Sequence, residues 1–581
     1  MAISAGQWVF TFAACFFCSV WTWYQLRYYA RRDTPAAYFA AVFISWWFGI
    51  VAVVVLLPLD LSAAVYGSEY ISDDKPSDTH NLVQVLWKIN YWLTFIWCWL
   101  VCPIVMEYWA AGEFTFRGKL RSALRHNVKF YAYACSGLLL LGVFVAISHG
   151  FGPAAVAGYL VAAANCYGML LIVLMIGYGI VDVPRELWLR ANPAKQLRHL
   201  EFRAANVESC MLDAKCDLED SIRSVNYFKS ALQERQGMLT PEFEFNSRIV
   251  YAKADAAKNL PGVIVTDSSY QSTVEEFSLS NEGLAELHYR LKRAIVMYER
   301  AVYQWEHLLT RSLELEAIVA EGSPEQPYQR LTSGSVDSET SSVLLVPWRS
   351  FFRKLNCNSR GLVGLFRVLA VATVILSSIL LWCECVSPIN ENFSLYAVLL
   401  DLAGTSGMVQ LYSCMSILYM SACAYVALFK FKYLEELALH GDAQTDVYCL
   451  LYNASYFGRL QFSLGVNYLS MLRTKDAENT AFATLVGDMD VVPFLGTSFN
   501  NYIPLVIVAL AICTMFKALD RVLNKIGIET ITTPQEDISE HQERIDEGRN
   551  LIQRTRTRRI QREARSLRNE SLHRTRTIAT T

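Results

Sequence analysis

Nine stretches of the chain stay apolar over roughly the 20 residues that a bilayer-crossing helix needs. They run from Trp8 to Leu26, Ala36 to Leu57, Leu82 to Met106, Val128 to Ile147 and Ala157 to Val181. After a long gap come Leu362 to Trp382, Met408 to Phe429, Val447 to Leu469 and Tyr502 to Leu519. Inside the gap the pattern turns from continuous to periodic. Leu197, Leu200, Ala204, Val207, Met211, Ala214, Leu218, Val225, Phe228 and Leu232 recur at three-four spacing among charged residues, the stripe of an amphipathic helix. Leu284, Leu287, Leu291, Ile295, Tyr298, Val302, Trp305, Leu309, Leu313 and Ile318 form a second stripe. Gly237, Pro241, Pro261 and Gly262 lie between them and predict a change of direction. The pair therefore predicts an antiparallel hairpin in which each stripe buries the other.

The predicted fold class is all-α: a polytopic membrane protein with nine transmembrane helices and a coiled-coil helical hairpin insert. Its divisions are residues 1–183 (helices one to five), 184–360 (hairpin and loop), 361–520 (helices six to nine) and 521–581 (an Arg-rich tail). Composition supports this. Of 581 residues 53% are hydrophobic and 18% charged, against about 45–50% and 25% in soluble chains. The net charge of −2 argues against a nucleic-acid partner.

Charge also orients the chain, because Lys and Arg collect in cytoplasmic loops. Arg27, Arg31 and Arg32 follow the first span, Arg117, Lys119, Arg121 and Arg125 the third, and Lys430 and Lys432 the seventh. The alternate loops are nearly free of cations. This places the N-terminus outside, and the hairpin and the C-terminus in the cytoplasm. Phe393 to Ser406 is apolar too, but short and interrupted by Asp401, Gly404 and Thr405, and reads as an interfacial or re-entrant segment. Just before it, Asn392-Phe-Ser394 is the candidate glycosylation acceptor on the outer side.

The hairpin has two readings, a platform for a cytoplasmic protein partner or a pair that satisfies only itself. Glu321 to Ser342, rich in Ser, Gly, Pro and Glu, reads as a flexible loop. The last forty-one residues hold eleven Arg and no Lys against five acidic residues. That tail is either drawn to anionic membrane lipids at about 1 kcal/mol per basic residue or solvated.

Charges at membrane depth cost about 2.5–3.5 kcal/mol at a helix centre, so each needs a partner or an exit. Lys88 snorkels toward the outer surface, in the direction of Asp60, and Arg367 toward the inner one. Arg459 lies mid-span. It is expected to face the bundle interior, paired with a carboxylate or with helix carbonyls. Two readings follow, a packing clamp or the wall of a ligand cavity shared with Asn165 and Asn467. Gly137, Gly142, Gly158, Gly168, Gly177 and Gly179 predict close helix contacts. The 15 cysteines mostly sit in apolar runs as small hydrophobes; Cys383 and Cys385 flank Glu384 and leave a disulfide or a metal site open. No metal or cofactor motif stands out. Walker, HExxH and GxSxG patterns are missing from the sequence and no paired-carboxylate motif falls in a plausible pocket, so the expectation is a protein that is not an enzyme.

Local strings carry a resemblance. Leu57-Pro-Leu-Asp60 closes span two and Asn90-Tyr-Trp92 lies in span three; Phe116-Arg-Gly-Lys119 precedes span four. Ala163-Ala-Asn165, Gly177-Tyr-Gly179 and Pro184-Arg185 mark span five, and Trp382-Cys-Glu-Cys385 ends span six. Gln444-Thr-Asp-Val-Tyr448 opens span eight, with Arg459-Leu460 and Asn467 inside it. In order and spacing these resemble the limb-region membrane protein family, whose members include lipocalin-interacting membrane receptors. The nearest branch is its "domain-containing protein two" group, which Val302-Tyr-Gln-Trp305 and Glu547-Gly-Arg549 also resemble. The outer loop Ala63 to Asn81 is shorter than in many relatives, and Gln461-Phe-Ser463 stands where the family often has prolines.

The resemblance implies nine spans and a large cytoplasmic coiled-coil insert, and it implies no established catalytic activity. It implies a receptor-like, signalling or trafficking adaptor linked to G-protein-coupled receptors, with another membrane receptor or transporter as partner. The alternative it leaves is a transporter or transporter chaperone for a small amphipathic ligand. The expected location is the plasma membrane, with endosomal or lysosomal membrane as the alternative.

Overall fold

The computed structural model describes residues 5–67, 78–149, 153–234, 240–265, 278–321, 359–386, 393–430, 438–472, 475–486, 497–516, 518 and 542–579. Among these the secondary structure is helical, with one isolated bridge between Ala30 and Thr445. The chain divides into two units, Met1–Pro184 with Val371–Thr530, and Arg185–Ala370 with Ile531–Thr581.

In the first unit, α1 (Ala5–Tyr29) is followed by α2 (Ala36–Val51), a π turn (Ala52–Leu56) and α3 (Leu57–Gly67). Next come α4 (Asp78–Ile96), a second π turn (Trp97–Val101) and α5 (Cys102–Ala110), then α6 (Phe116–His149) and α7 (Pro153–Arg190). In the second unit lie α8 (Pro193–Glu234), α9 (Pro241–Lys258) and α10 (Asn281–Glu321). The first unit resumes within α11 (Ser359–Val386) and continues through α12 (Leu395–Asp401), α13 (Ser406–Lys430), α14 (Val447–Leu472), α15 (Lys475–Glu478), α16 (Ala481–Val486) and α17 (Thr497–Met515). The second unit is completed by α18 (Gln542–Ala579).

Among the described residues six helices are long and apolar enough to cross a bilayer: Gly6–Tyr29, Ala36–Val65, Asn81–Ala110, Tyr167–Arg190, Val363–Val386 and Ser406–Phe429. The three other apolar stretches of the sequence fall in α6, α14 and α17. Helix α14 fails the same measure for a physical reason. It carries Asn453, Arg459, Gln461, Ser463 and Asn467, and most of its residues are buried. α2, α5 and α13 pack around it, so it needs no lipid-compatible surface. Phe457 anchors it, with its ring 3.7 Å from that of Tyr425 and 5.6 Å from that of Trp46. The apolar stretch from Phe393 contains only the seven-residue α12, too short to span.

Both π turns sit just before a proline, Pro58 and Pro103. Proline has no N–H, and its ring clashes with the carbonyl four residues back. Widening the preceding turn relieves that clash. Three of the expected glycine contacts occur. A Cβ would meet Ser463 at Gly168, Leu510 at Gly177 and the Cys423 carbonyl at Gly179. Gly137 has nothing within 4 Å, a correction: it faces open space. The surroundings of Gly142 and Gly158 lie outside the described set.

The second unit differs from a simple hairpin. Ala204, Leu218, Ile222, Val225 and Phe228 of α8 and Leu284, Leu287, Leu291, Tyr298, Trp305 and Leu309 of α10 are buried. The early α8 residue Ala204 clusters with the late α10 residues Trp305 and Leu309, so α8 and α10 run antiparallel. Beyond Leu309 the second stripe drifts. Ser312 is fully buried and bonds back to the Leu309 carbonyl, while Leu313 is 38% exposed. The segment expected only to turn contains α9, started by Thr240 at the N-cap and Pro241 in the first turn. The Arg-rich tail, expected to be solvated or lipid-bound, is helix α18, and Ile552 belongs to the Ala204–Trp305 cluster.

Candidate functional site

Two arrangements stand out, and the residues singled out by sequence are spread over these and two smaller clusters. The first starts from Pro103. In the π register the amide of Cys102 is spent on the Trp97 carbonyl, and the next donor in line would be residue 103, which has none. The Cys98 carbonyl is thereby left for Arg459, whose Nη2 donates to it at 2.9 Å. Trp99 O is freed by the same proline and accepts from the Tyr131 hydroxyl. The Arg459 guanidinium carbon lies 3.9 Å from the Trp99 ring centroid and 5.3 Å from that of Tyr456, both within cation–π range. Tyr167 sits edge-on to Trp99 at 6.1 Å. Arg459 is half-buried, and its Nε is buried with no hydrogen-bond partner. Gly458 makes room for this approach, because a Cβ there would strike the Cys98 sulfur.

Asn467 lies eight residues further along α14, about 12 Å at 1.5 Å per residue, and belongs to a different cluster. Its Nδ2 donates to Glu384 Oε1 at 2.8 Å. Glu384 is fully buried, and its Oε2 and the Asn467 Oδ1 have no partner among the described residues. Sequence reasoning gave Glu384 no role, since a carboxylate two residues from a helix end reads as interfacial. The free thiols of Cys383 and Cys385 leave no disulfide there. Among the described residues no group of three or more His, Cys, Asp or Glu is placed to hold a metal.

Asp60 is buried, and its partners differ from the expected one. Oδ2 accepts from Trp87 Nε1 at 3.0 Å and from the Phe482 amide at 2.8 Å, and Oδ1 from the Ala481 amide at 3.0 Å. The carboxylate caps α16, where first-turn amides lack intrahelical acceptors. Lys88 is exposed, one step around α4 from Trp87, and the indole occupies the place expected for its ammonium. Asn165 lies in α7 with its side chain outside the described set, and Asn392 lies outside the described residues.

The second arrangement is the α18 seat. Arg549 Nε and Nη2 donate to Glu201 Oε1 and Oε2 at 2.8 and 3.0 Å. Glu201 holds the guanidinium charged more firmly than usual. Gly548 lies flush on α8, where any Cβ would overlap the Glu201 carbonyl. Arg559 pairs with Glu306, and Arg556 with Glu316 at 3.4 Å. Burial pushes the Glu316 carboxyl above its ordinary range, with Arg556 opposing and Glu201 adding to the shift. The tail's signal in the sequence is Ile545, Gly548 and Ile552, the three-four spacing of a buried stripe thinly spread among arginines.

A chain whose described residues are helical, with six apolar helices of bilayer-crossing length among them and a second, largely polar helical unit, is a polytopic membrane protein. More narrowly, the chain belongs to the LMBR1-like membrane protein family, whose profile matches residues 7–519. It is 26% identical over 559 residues to the "G-protein coupled receptor-associated protein LMBRD2" of Gallus gallus, covering 89% of this chain and 79% of the relative. The Homo sapiens protein of that name is 26% identical over 566 residues, with the same coverage. The "LMBR1 domain-containing protein 2 homolog" of Drosophila melanogaster is 23% identical over 587 residues, covering 92% of this chain and 81% of the relative. No solved structure matches the chain significantly.

Proposed function

We propose that this chain is a non-enzymatic, nine-span plasma-membrane adaptor that associates with G-protein-coupled receptors. Its coiled-coil insert and C-terminal helix together form a cytoplasmic docking platform. The receptor link rests on what its relatives are called. The inward orientation rests on the Lys and Arg bias of the loops. The observation that carries the platform is the α18 seat, in which the chain's last helix adds a third rod to α8 and α10 through Arg549 and Glu201. A third rod buries its own thin apolar stripe against the pair, stiffens it and leaves a charged outer face.

Proximity labelling from a biotin ligase fused at the C-terminus of the full chain tests this reading. Seven-helix receptors are expected to be enriched over other membrane proteins of equal abundance, and to fall several-fold in Gly548→Arg, which unseats α18. Absence of enrichment in the unaltered chain overturns the receptor association. Equal enrichment with α18 seated and unseated overturns the platform.

A further inference from the structure

We propose that Arg459 and the aromatic ladder beside it form a lateral site for a single-chain fatty acid taken from the surrounding lipid. Arg459 lies midway along α14, a helix of 26 residues. A cation at that depth needs a counter-charge or an escape route. Among the described residues no carboxylate forms an ion pair with it. It has one carbonyl, two ring faces and a side-chain hydrogen bond with the Tyr167 hydroxyl, none of them a counter-charge, and its Nε lacks an acceptor. The residue as a whole is half-buried, and its guanidinium still has a donor to give.

What lies beside that donor is apolar and regular. Tyr91, Phe95 and Trp99 follow one another at four-residue spacing on α4 and its π turn. Ring centroids are 6.4 Å apart for the first pair and 6.2 Å for the second, and both pairs are stacked. The ladder runs about 12 Å along the helix and ends on the ring that covers Arg459. Phe95 and Tyr167 are 43% and 38% exposed, so the wall faces outward rather than into the core. A hydrocarbon tail laid on it trades lipid contact for aromatic contact, while its head reaches the guanidinium.

A carboxylate fits this head position better than a larger anion. Its two oxygens match the guanidinium fork, and it brings no glycerol or sugar hydroxyls to be buried unpaired. The site thus selects a free fatty acid by charge at one end and by a flat, one-chain-wide surface along its length. The inference is independent of receptor association, because it concerns lipid capture by the membrane unit alone.

The test uses the full-length protein in nanodiscs of neutral phospholipid, with a diazirine-bearing palmitic acid as probe. Labelling is expected on the Tyr91–Trp99 segment. Palmitic acid is expected to compete at concentrations at least tenfold below those of hexadecanol, the scale of one charge-assisted hydrogen bond. Arg459→Gln is expected to lose labelling about tenfold, and Arg459→Lys to lose less. Phe95→Ala, which leaves Arg459 untouched, is expected to weaken capture several-fold. Equal competition by acid and alcohol overturns the proposal, as does unchanged labelling in Arg459→Gln. Displacement by a lysophosphatidic acid at lower concentration than palmitic acid overturns the choice of head group. If Arg459→Gln does not fold, the acid–alcohol comparison on the unaltered protein and Phe95→Ala decide the matter.

Discussion

Arg549 and Glu201 form a two-pronged pair, with nitrogen–oxygen distances of 2.8 and 3.0 Å, across 348 residues of chain. The Glu201 side chain is 4% exposed and that of Arg549 44%. Removing the arginine therefore strands a buried carboxylate, whereas removing the glutamate strands a half-solvated cation. Arg549→Ala is expected to destabilise the seat by about 2 kcal/mol, below the 3–5 kcal/mol of a fully buried broken pair because water reaches one partner. Glu201→Gln is expected to cost less. Limited proteolysis of the full-length protein checks this, with cleavage within α18 accelerated more in Arg549→Ala than in Glu201→Gln.

Gly548 gives a steric test of the same contact. A methyl group there overlaps the Glu201 carbonyl, which is main chain and cannot rotate away, and also lies 3.3 Å from the Ala204 Cβ. Alanine is the better helix former by about 1 kcal/mol in the absence of contacts. Gly548→Ala is thus expected to leave α18 helical but undocked. Its proteolysis should match that of Arg549→Ala, and adding Arg549→Ala to it should change little further, since both remove one contact.

His199 gives the second unit a pH response. Burial, with Arg203 one turn away, lowers its pKa to about 4, against about 6.5 in an unfolded chain. The folded state keeps the imidazole neutral while the unfolded state takes up a proton. The contribution to stability is therefore whole above pH 6.5 and is lost as pH falls from 6.5 toward 4, at no more than ~1.4 kcal/mol per pH unit. Thermal unfolding of the full chain at pH 7.5 and pH 5 is expected to show this loss, and His199→Phe to flatten it.

The sequence and the structure part company in an instructive way. Eight of the nine apolar stretches fall in helices, and the ninth, from Tyr502, does so as far as Met515, since a run of twenty apolar residues leaves few alternatives. Arg459 stood out as a charge without an exit, yet its acceptor was hidden. That acceptor exists because Pro103, on another helix, cannot donate to Cys98, which is a three-dimensional consequence of one missing hydrogen. Lys88 and Asp60 looked complementary by sign, but the neighbouring Trp87 faces inward and takes the carboxylate. The role of Glu384 is not legible in the sequence, because distance from a helix end says nothing about what packs on it; Asn467 comes from 83 residues away. Helix α9 lay behind Pro and Gly punctuation, and α18 behind its arginines.

Asp60 tests the cap directly. Three donors converge on it, the Trp87 indole and the amides of Ala481 and Phe482. Asp60→Ala leaves all three without an acceptor in a buried place, at about 1–3 kcal/mol for each group stranded. The expected loss is about 3 kcal/mol or more, and Asp60→Asn, which keeps one acceptor oxygen, should lose less. Unfolding followed by a thiol-reactive dye reports both, through the buried Cys98, Cys102 and Cys423.

Gly458 and Cys98 supply a test in which damage can be repaired. A Cβ on residue 458 collides with the Cys98 sulfur, and its next neighbours, Ser45 Oγ and Thr94 Cγ2, lie at 3.4 and 3.5 Å, an ordinary contact range. One side chain alone therefore forbids alanine at 458. Gly458→Ala should push α14 away from the second π turn and lengthen the Arg459 contact to the Cys98 carbonyl, at about 1–3 kcal/mol, the usual range for overpacking. Cys98→Ala removes the obstructing sulfur and a weak interaction with Ser45 Oγ at 3.7 Å, so alone it should cost little beyond the small cavity it leaves. The double variant is then expected to recover most of the loss, with a coupling energy favourable by about 1 kcal/mol or more. Additive losses in the double variant would place the strain of Gly458→Ala elsewhere than on Cys98.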